Sequence, residues 1–240
     1  MTGLLTALAL LATLTTGDPM RPQGQPGYDV ASTSSSADVL LDGSSAAWDD
    51  VASIAWGPEP YPTAFQALWS SEALFVRFAA VDDAPWYTLT RRDDPLWDEE
   101  VVEIFLDLDR SGTHYAEVEV SPANVVCDVR MVRPSPDKEM DLAWNLEGLE
   151  TRVQRLDVAG RPAWVVTAQM PWSGFRSLPS AAHIALPPAP GDRWRFNVFR
   201  IKRPWGPRAP TRDVVFAAWS EPSGSSFHEP AVFRDLTFVR

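Results

Sequence analysis

Apolar and polar side chains alternate along several stretches of the chain. In residues 73–81, Leu74, Val76, Phe78 and Ala80 share one side while Phe75 and Arg77 take the other, the two-residue period of a strand with one buried face. Residues 101–108 repeat the pattern, with Val102, Ile104, Leu106 and Leu108 on one face and Glu103, Phe105 and Asp107 on the other. After the turn signal Asp109-Arg-Ser-Gly112, residues 115–120 put Ala116, Val118 and Val120 inward and Tyr115, Glu117 and Glu119 outward, so 101–120 is predicted to be a β-hairpin. Further strands are expected over 151–158, 163–170, 193–202, 213–219 and 232–239. Pro-rich loops separate the strands at 57–63, 133–141, 177–191, 203–211 and 221–230. No amphipathic helix longer than a couple of turns is evident. Many closely spaced strands predict an all-β fold, an antiparallel β-sandwich of jelly-roll or immunoglobulin-like two-sheet architecture.

The pattern starts near Asp38 and runs to the end without a second linker or an internal repeat, so 38–240 is read as one domain. Residues 18–37 are rich in Gly, Pro, Gln, Ser and Thr with little to bury, and are expected to be a flexible linker. Within 1–17 the apolar run from Leu4 to Leu14 is shorter than the ~20 residues a membrane-spanning helix needs. It reads as the core of a signal peptide, although no Lys or Arg precedes it. The expectation is therefore a secreted, periplasmic or cell-envelope protein with no integral membrane span once processed.

Composition narrows the function. The 240 residues are 45% hydrophobic and 22% charged, as in folded globular proteins, but they include 11 Trp and 22 Pro. Prolines suit loops between short strands, and surplus indole supplies flat surface beyond the needs of a core. A formal net charge of −11 argues against a nucleic-acid partner, because neutralising phosphates requires a basic face. The single cysteine, Cys127, rules out an internal disulfide and lies in an apolar run, so it reads as a small buried strand residue.

The outward face of the predicted hairpin carries the candidate chemistry, since it gathers Glu103, Phe105, Asp107, Tyr115, Glu117 and Glu119. Like charges on adjacent strands repel unless solvent, a cation or a ligand's hydroxyl groups satisfy them. A solvated sheet face accounts for the pattern, and so does the polar floor of a sugar site, where carboxylates accept hydrogen bonds from vicinal hydroxyls and aromatic rings cover C–H faces. Trp97 precedes this strand and Trp219 ends a later one, which would put both at the rim. Plain core packing is the alternative for either indole.

The run Leu41-Asp-Gly43 with Trp48, then Leu74-Phe-Val-Arg-Phe78, then Asp94-Pro-Leu-Trp-Asp-Glu-Glu-Val-Val-Glu-Ile-Phe-Leu-Asp107, resembles the family 9 carbohydrate-binding modules and their wider DOMON-like superfamily. Ala218-Trp-Ser-Glu-Pro222, Phe227-His-Glu-Pro230 and Phe233 are similar to the closing pattern of that group. The resemblance implies a non-catalytic carbohydrate-binding protein, its ligand held between two tryptophans and hydrogen-bonded from the Val-Glu-Ile-Phe strand and the next. It assigns Trp97 and Glu103 to one wall and the floor, and Trp219 to the second wall. Where sugar-binding members place basic or amide side chains on the next strand, this chain has Glu117 and Glu119, with Arg77 or Arg200 as candidates to balance the acidity.

The resemblance also admits structural calcium, with Asp82, Asp83, Asp93 and Asp94 as conceivable ligands, but no cofactor is assigned. Asp107-Leu-Asp-Arg-Ser-Gly112 imitates half of a calcium loop, yet the twelfth position is Val118, so a plain turn is favoured. Catalytic motifs are missing, and His114, His183 and His228 are scattered. His228, beside Glu229 and Pro230, reads as a loop anchor. Three rival readings stay open. One is a haem-binding electron-transfer domain using Met131, Met140, Met170 or Lys202. Another is a glycoside hydrolase pairing Glu103 with Glu117 or Glu119. The third is a structural envelope protein with buried aromatics.

Overall fold

The computed structural model describes residues 27–206 and 210–240. The described elements are β1 (Tyr28–Ser32), α1 (Ala37–Leu41), β2 (Ile54–Trp56), β3 (Thr63–Trp69), β4 (Ala73–Val81), β5 (Val101–Asp107), β6 (Tyr115–Val120), β7 (Val126–Arg133), β8 (Glu139–Asp141), β9 (Glu150–Val158), β10 (Arg161–Pro171), α2 (Trp172–Phe175), β11 (Arg193–Lys202), β12 (Val215–Ala218) and β13 (Arg234–Val239), with short 3-10 turns between them. The fold is all-β. None of the described helices is long and apolar enough to cross a membrane.

Hydrogen bonding joins the strands into one mixed sheet in the order β8-β7-β6-β5-β11-β13-β1-β3-β4-β10-β9, with β12 on β11 and β2 on β3. The expectation of purely antiparallel pairing is corrected at one strand. Two runs, β8 to β13 and β3 to β9, are antiparallel throughout, but β1 lies parallel to both β13 and β3 and bridges them. Tyr28 to Ala31 pair with Leu236 to Val239, and only Ala31 and Ser32 reach Leu68 and Trp69. A parallel partner must come from a distant part of the chain, and here it comes from the stretch read as linker.

That linker reading is corrected as well. Residues 27–37 are described, and Tyr28 and Val30 are buried in the core. The Tyr28 hydroxyl donates to Ala52 O at 2.7 Å and accepts from Ala67 N at 2.9 Å. Two anchoring side chains in a polar stretch were too few to register as a strand pattern. The signal peptide expected at 1–17 and the first part of the linker lie outside the described residues.

The predicted inward faces are the observed ones. Leu74, Val76, Phe78 and Ala80 of β4 share one cluster with Val102, Ile104 and Leu106 of β5 and Ala116, Val118 and Val120 of β6. The inner faces of the two runs meet there: Phe65 of β3 lies 5.7 Å from Phe196 of β11, and the Tyr28 ring is 5.6 and 6.1 Å from them. Phe75, on the opposite face of β4, is covered by Leu40 and Trp48. Cys127 is buried among Leu96, Val101, Val129 and Ile201, and burial pushes its thiol pKa up, as befits a structural residue. The β5–β6 connection is an ordinary turn in which Gly112, at φ 76°, donates its N–H to Asp107 Oδ2 at 3.0 Å.

Candidate functional site

Because successive side chains of a strand point to opposite faces, burying Val102 and Ile104 in the core sends Glu103 and Phe105 outward. Pairing then sets Glu103 opposite Glu119, and Phe105 opposite Glu117, across β5 and β6. On the other flank of β5, Phe199 stands opposite Glu103 and Ile201 opposite Val101. This outward face is not open to solvent. Phe105, Tyr115, Met131, Phe199 and Phe233 form a second apolar cluster on it, and the segment around Phe227 and His228 covers part of it. The Phe227 ring stacks on Phe199 at 4.3 Å and His228 on Phe105 at 5.0 Å.

The three glutamates are therefore buried, at 2%, 3% and 0% exposure for Glu103, Glu117 and Glu119. They lie beneath a cavity of about 340 Å³ whose lining includes Trp97, Lys138, Arg203, Phe216, Phe227 and His228. Trp97 is half-buried, and Phe216 is 51% exposed. As carboxylates, Glu117 Oε2 and both Glu119 oxygens meet no donor, and Glu117 and Glu119 are near enough to share a proton when one of them is protonated. Burial pushes all three carboxyls up, Glu117 to about 7; the neighbouring Glu117 charge adds to the rise at Glu103, and the Glu103 charge, then that of Glu117, adds to it at Glu119. The Lys138 ammonium pulls each of them the other way.

His228 is held at both ring nitrogens. Nδ1 lies 3.0 Å from the Tyr115 hydroxyl and Nε2 lies 3.1 Å from Lys138 Nζ. Burial first, then the ammonium, push its pKa down to about 3. The ring is thus neutral, accepts at Nε2 from the ammonium and carries its proton on Nδ1, an assignment made from the hydrogen-bond network. It anchors the loop, as expected, and it also helps line the cavity.

The structure brings together Trp97, Glu103, Glu117 and Glu119 and places the other three candidates elsewhere. Trp219 is corrected from rim to core: it is 7% exposed, and its ring packs 5.1 Å from Phe196. Parity is the reason. Ala218 pairs with Phe199 and Phe216 with Ile201, so Phe216 and Ala218 share the outer face while Ala217 and Trp219 turn inward. Arg200 is also corrected: it sits opposite Val102, on the core face, and binds Asp82 at 3.0 Å. Arg77 lines a different cavity with Trp48 and Gln66, where its guanidinium donates to Gly43 O at 2.9 Å and Gln66 Oε1 at 2.8 Å.

Phe216 could have been found in the sequence from the alternation of residues 215–219. Lys138, Arg203 and Phe227 come from Pro-rich loops; the first two carry no pattern, and Phe227 stands in the run that resembles the closing pattern of the family, which assigns it no role. Asp82 is taken by Arg200 and Lys202, and Asp94 accepts N–H groups of Thr90 and Arg91, so these acidic residues have protein partners. Of the residues weighed for haem, Met170 and Met131 lie in separate apolar clusters, Met140 lines the cavity, and Lys202 pairs with Asp82 and Glu100.

Known proteins share this architecture. A candidate carbohydrate-binding protein from Bacteroides uniformis ATCC 8492 superposes with a TM-score of 0.63 at 16% identity, covering 89% of this chain and 99% of that one. A family 9 carbohydrate binding module from Caldicellulosiruptor kristjanssonii in complex with cellotriose gives 0.56 at 16% identity, over 88% of this chain and 92% of that one. The glucose complex of a family 9 module from the same organism gives 0.57 at 15% identity, with 89% and 97% covered. Identities this low establish the fold alone. No curated protein is significantly similar. A family model, carbohydrate family 9 binding domain-like, matches residues 44–240. With the match spanning most of its length, the chain belongs to the carbohydrate family 9 binding domain-like family.

Proposed function

We propose that this protein binds carbohydrate without transforming it, and that the cavity over Glu103, Glu117 and Glu119 is where it does so. One observation carries the reading: a cavity of about 340 Å³ combines aromatic surface, the exposed Phe216 ring with the half-buried Trp97 and Phe227, with a floor of carboxylate oxygens that have unused acceptor capacity. Flat rings suit the C–H faces of a sugar, and the carboxylates accept from its hydroxyls. The family and the sugar complexes of its structural neighbours support the same ligand class.

In this reading the curled sheet serves as the two layers of a jelly-roll sandwich, with the site on the outside of one layer, and the protein works outside the cytoplasm. Three glutamates on one floor are poorly arranged for hydrolysis, which needs two carboxyl groups on opposite sides of a glycosidic bond.

Calorimetric titration with cellotriose and other soluble oligosaccharides, run on the parent and on Trp97→Ala, tests the site. Removing the indole should weaken binding about tenfold or more, because stacking and burial of an aromatic ring contribute roughly 1.5 kcal/mol or above. An unchanged affinity in Trp97→Ala would remove that wall from the site.

A further inference from the structure

Three carboxylates on one patch of a sheet interior need a partner. Glu103 faces Glu119 directly across the β5–β6 pair, and Glu117 projects from the same side of β6. One oxygen from each can be chosen so that all three lie within 4.8 Å of one another. Among the described residues, no other group of three His, Cys, Asp or Glu side chains converges in this way. The protein supplies little compensation. Lys138 is the cation whose field reaches all three, and its ammonium is engaged by His228 Nε2. Arg203 lines the same cavity, with its guanidinium turned to the Trp97 carbonyl at 3.5 Å. With all three ionised, one ammonium against three carboxylates leaves two negative charges, beside three buried oxygens that no donor of the protein reaches; a proton shared between Glu117 and Glu119 answers only part of this.

We propose that Glu103, Glu117 and Glu119 hold one divalent cation of the calcium class at the floor of the cavity. The spacing fits: calcium binds oxygen at about 2.3–2.6 Å, so ligand atoms on opposite sides of one ion stand about 5 Å apart, and closer pairs fit on one side. An all-oxygen, carboxylate donor set favours calcium, magnesium or manganese over zinc or copper. A divalent charge also cancels what Lys138 leaves. Three glutamates do not fill a shell of six to eight oxygens. The remaining positions face the cavity, open to water or to the hydroxyls of a bound ligand. Such an ion fills the role that a basic side chain on β6 would otherwise have, turning an acidic floor into one that attracts electron-rich oxygens.

The competing account is that the cluster takes up protons. Titrating the full-length, chelator-treated protein with calcium alone at about pH 7.5 separates the two, using calorimetry and terbium luminescence sensitised by Trp97. The parent should bind one equivalent and unfold at a higher temperature with calcium. Glu119→Gln and Glu117→Gln should each weaken binding at least tenfold while retaining a cooperative unfolding transition in the absence of metal. No binding by the parent up to about 10 mM, beyond the weak range of extracellular calcium modules, would overturn the proposal. So would calcium binding that both glutamine variants retain unchanged. The cation site does not rest on the sugar reading: calcium uptake without affinity for any glycan would leave it standing and sink the glycan site, and glycan binding without calcium uptake would do the reverse.

Discussion

Among the described residues, two clusters of buried charged side chains differ in whether the chain completes them. At one end of the core, Asp82 Oδ2 lies 3.0 Å from Arg200 Nη2 and 2.7 Å from Lys202 Nζ, and Lys202 reaches Glu100 at 3.0 Å. Arg200 Nη1 also donates to the carbonyls of Tyr61 and Val81 and to the Thr63 hydroxyl, and the Tyr61 ring lies 5.7 and 5.1 Å from the two cations. Charge balances there, and apart from Arg200 Nε the polar atoms are satisfied. On the outer face of β5 and β6, three carboxylates are equally buried and face one ammonium. Burial of charge is thus no mark of function in itself. The first group ties β11 to the β3–β4 side of the core, whereas the second is completed only by something that enters from outside.

The sharpest way to break this contrast is to remove the balance from the first group. Asp82→Asn leaves Arg200 and Lys202 with one carboxylate between them, and should cost about 3–5 kcal/mol. For a chain of this size that lowers the melting temperature by roughly 10 °C in thermal unfolding. A loss below about 1 kcal/mol would mean that water already reaches the network, and the two groups would differ less than the geometry indicates.

A smaller effect of opposite sign is expected at the second group. In metal-free protein the Glu117 pKa is raised from 4.5 to about 7, so the stability from its bound proton is complete below about pH 4.5 and is lost as the pH rises through 7. His228, lowered to about 3, runs the other way, losing stability as the pH falls below 6.5. It is common to parent and variant and drops out of their difference. Glu117→Gln should therefore match the parent near pH 4 and exceed it by about 1–3 kcal/mol at pH 8, with calcium reversing the order. A difference that does not change with pH would show that the carboxylate is neither strained nor waiting for a partner.

The smallest effect on stability separates site from core among the aromatics. Phe216→Ala removes a half-exposed ring and should change stability by no more than about 0.5 kcal/mol while weakening oligosaccharide binding several-fold. Chemical denaturation and calorimetry on the same sample check both halves of that expectation. An unaltered affinity would leave Trp97 and Phe227 to supply the aromatic surface of the site.

The inward faces of β4, β5 and β6, the β5–β6 hairpin, the structural role of Cys127 and the grouping of Glu103, Glu117 and Glu119 were all legible in the amino-acid order. Each depends on a two-residue period or on a short turn, and both are local properties of the backbone. The place of the residues that complete the site was not legible. Phe227 and His228 arrive over Phe105 and Phe199 from a segment far along the chain, and Lys138 comes from another loop. No local pattern encodes that covering, so an outward face that reads as solvated becomes a roofed floor. Trp219 exchanged places with Phe216 because parity in a short strand is set by its partner β11, and Tyr28 and Val30 became core only once β13 and β3 offered them a gap. The sequence by itself determined which side chains share a face. Only the tertiary structure decided what lies above each face, because distant segments do the covering and the cost of burying an unpaired charge depends on whether they bring a partner.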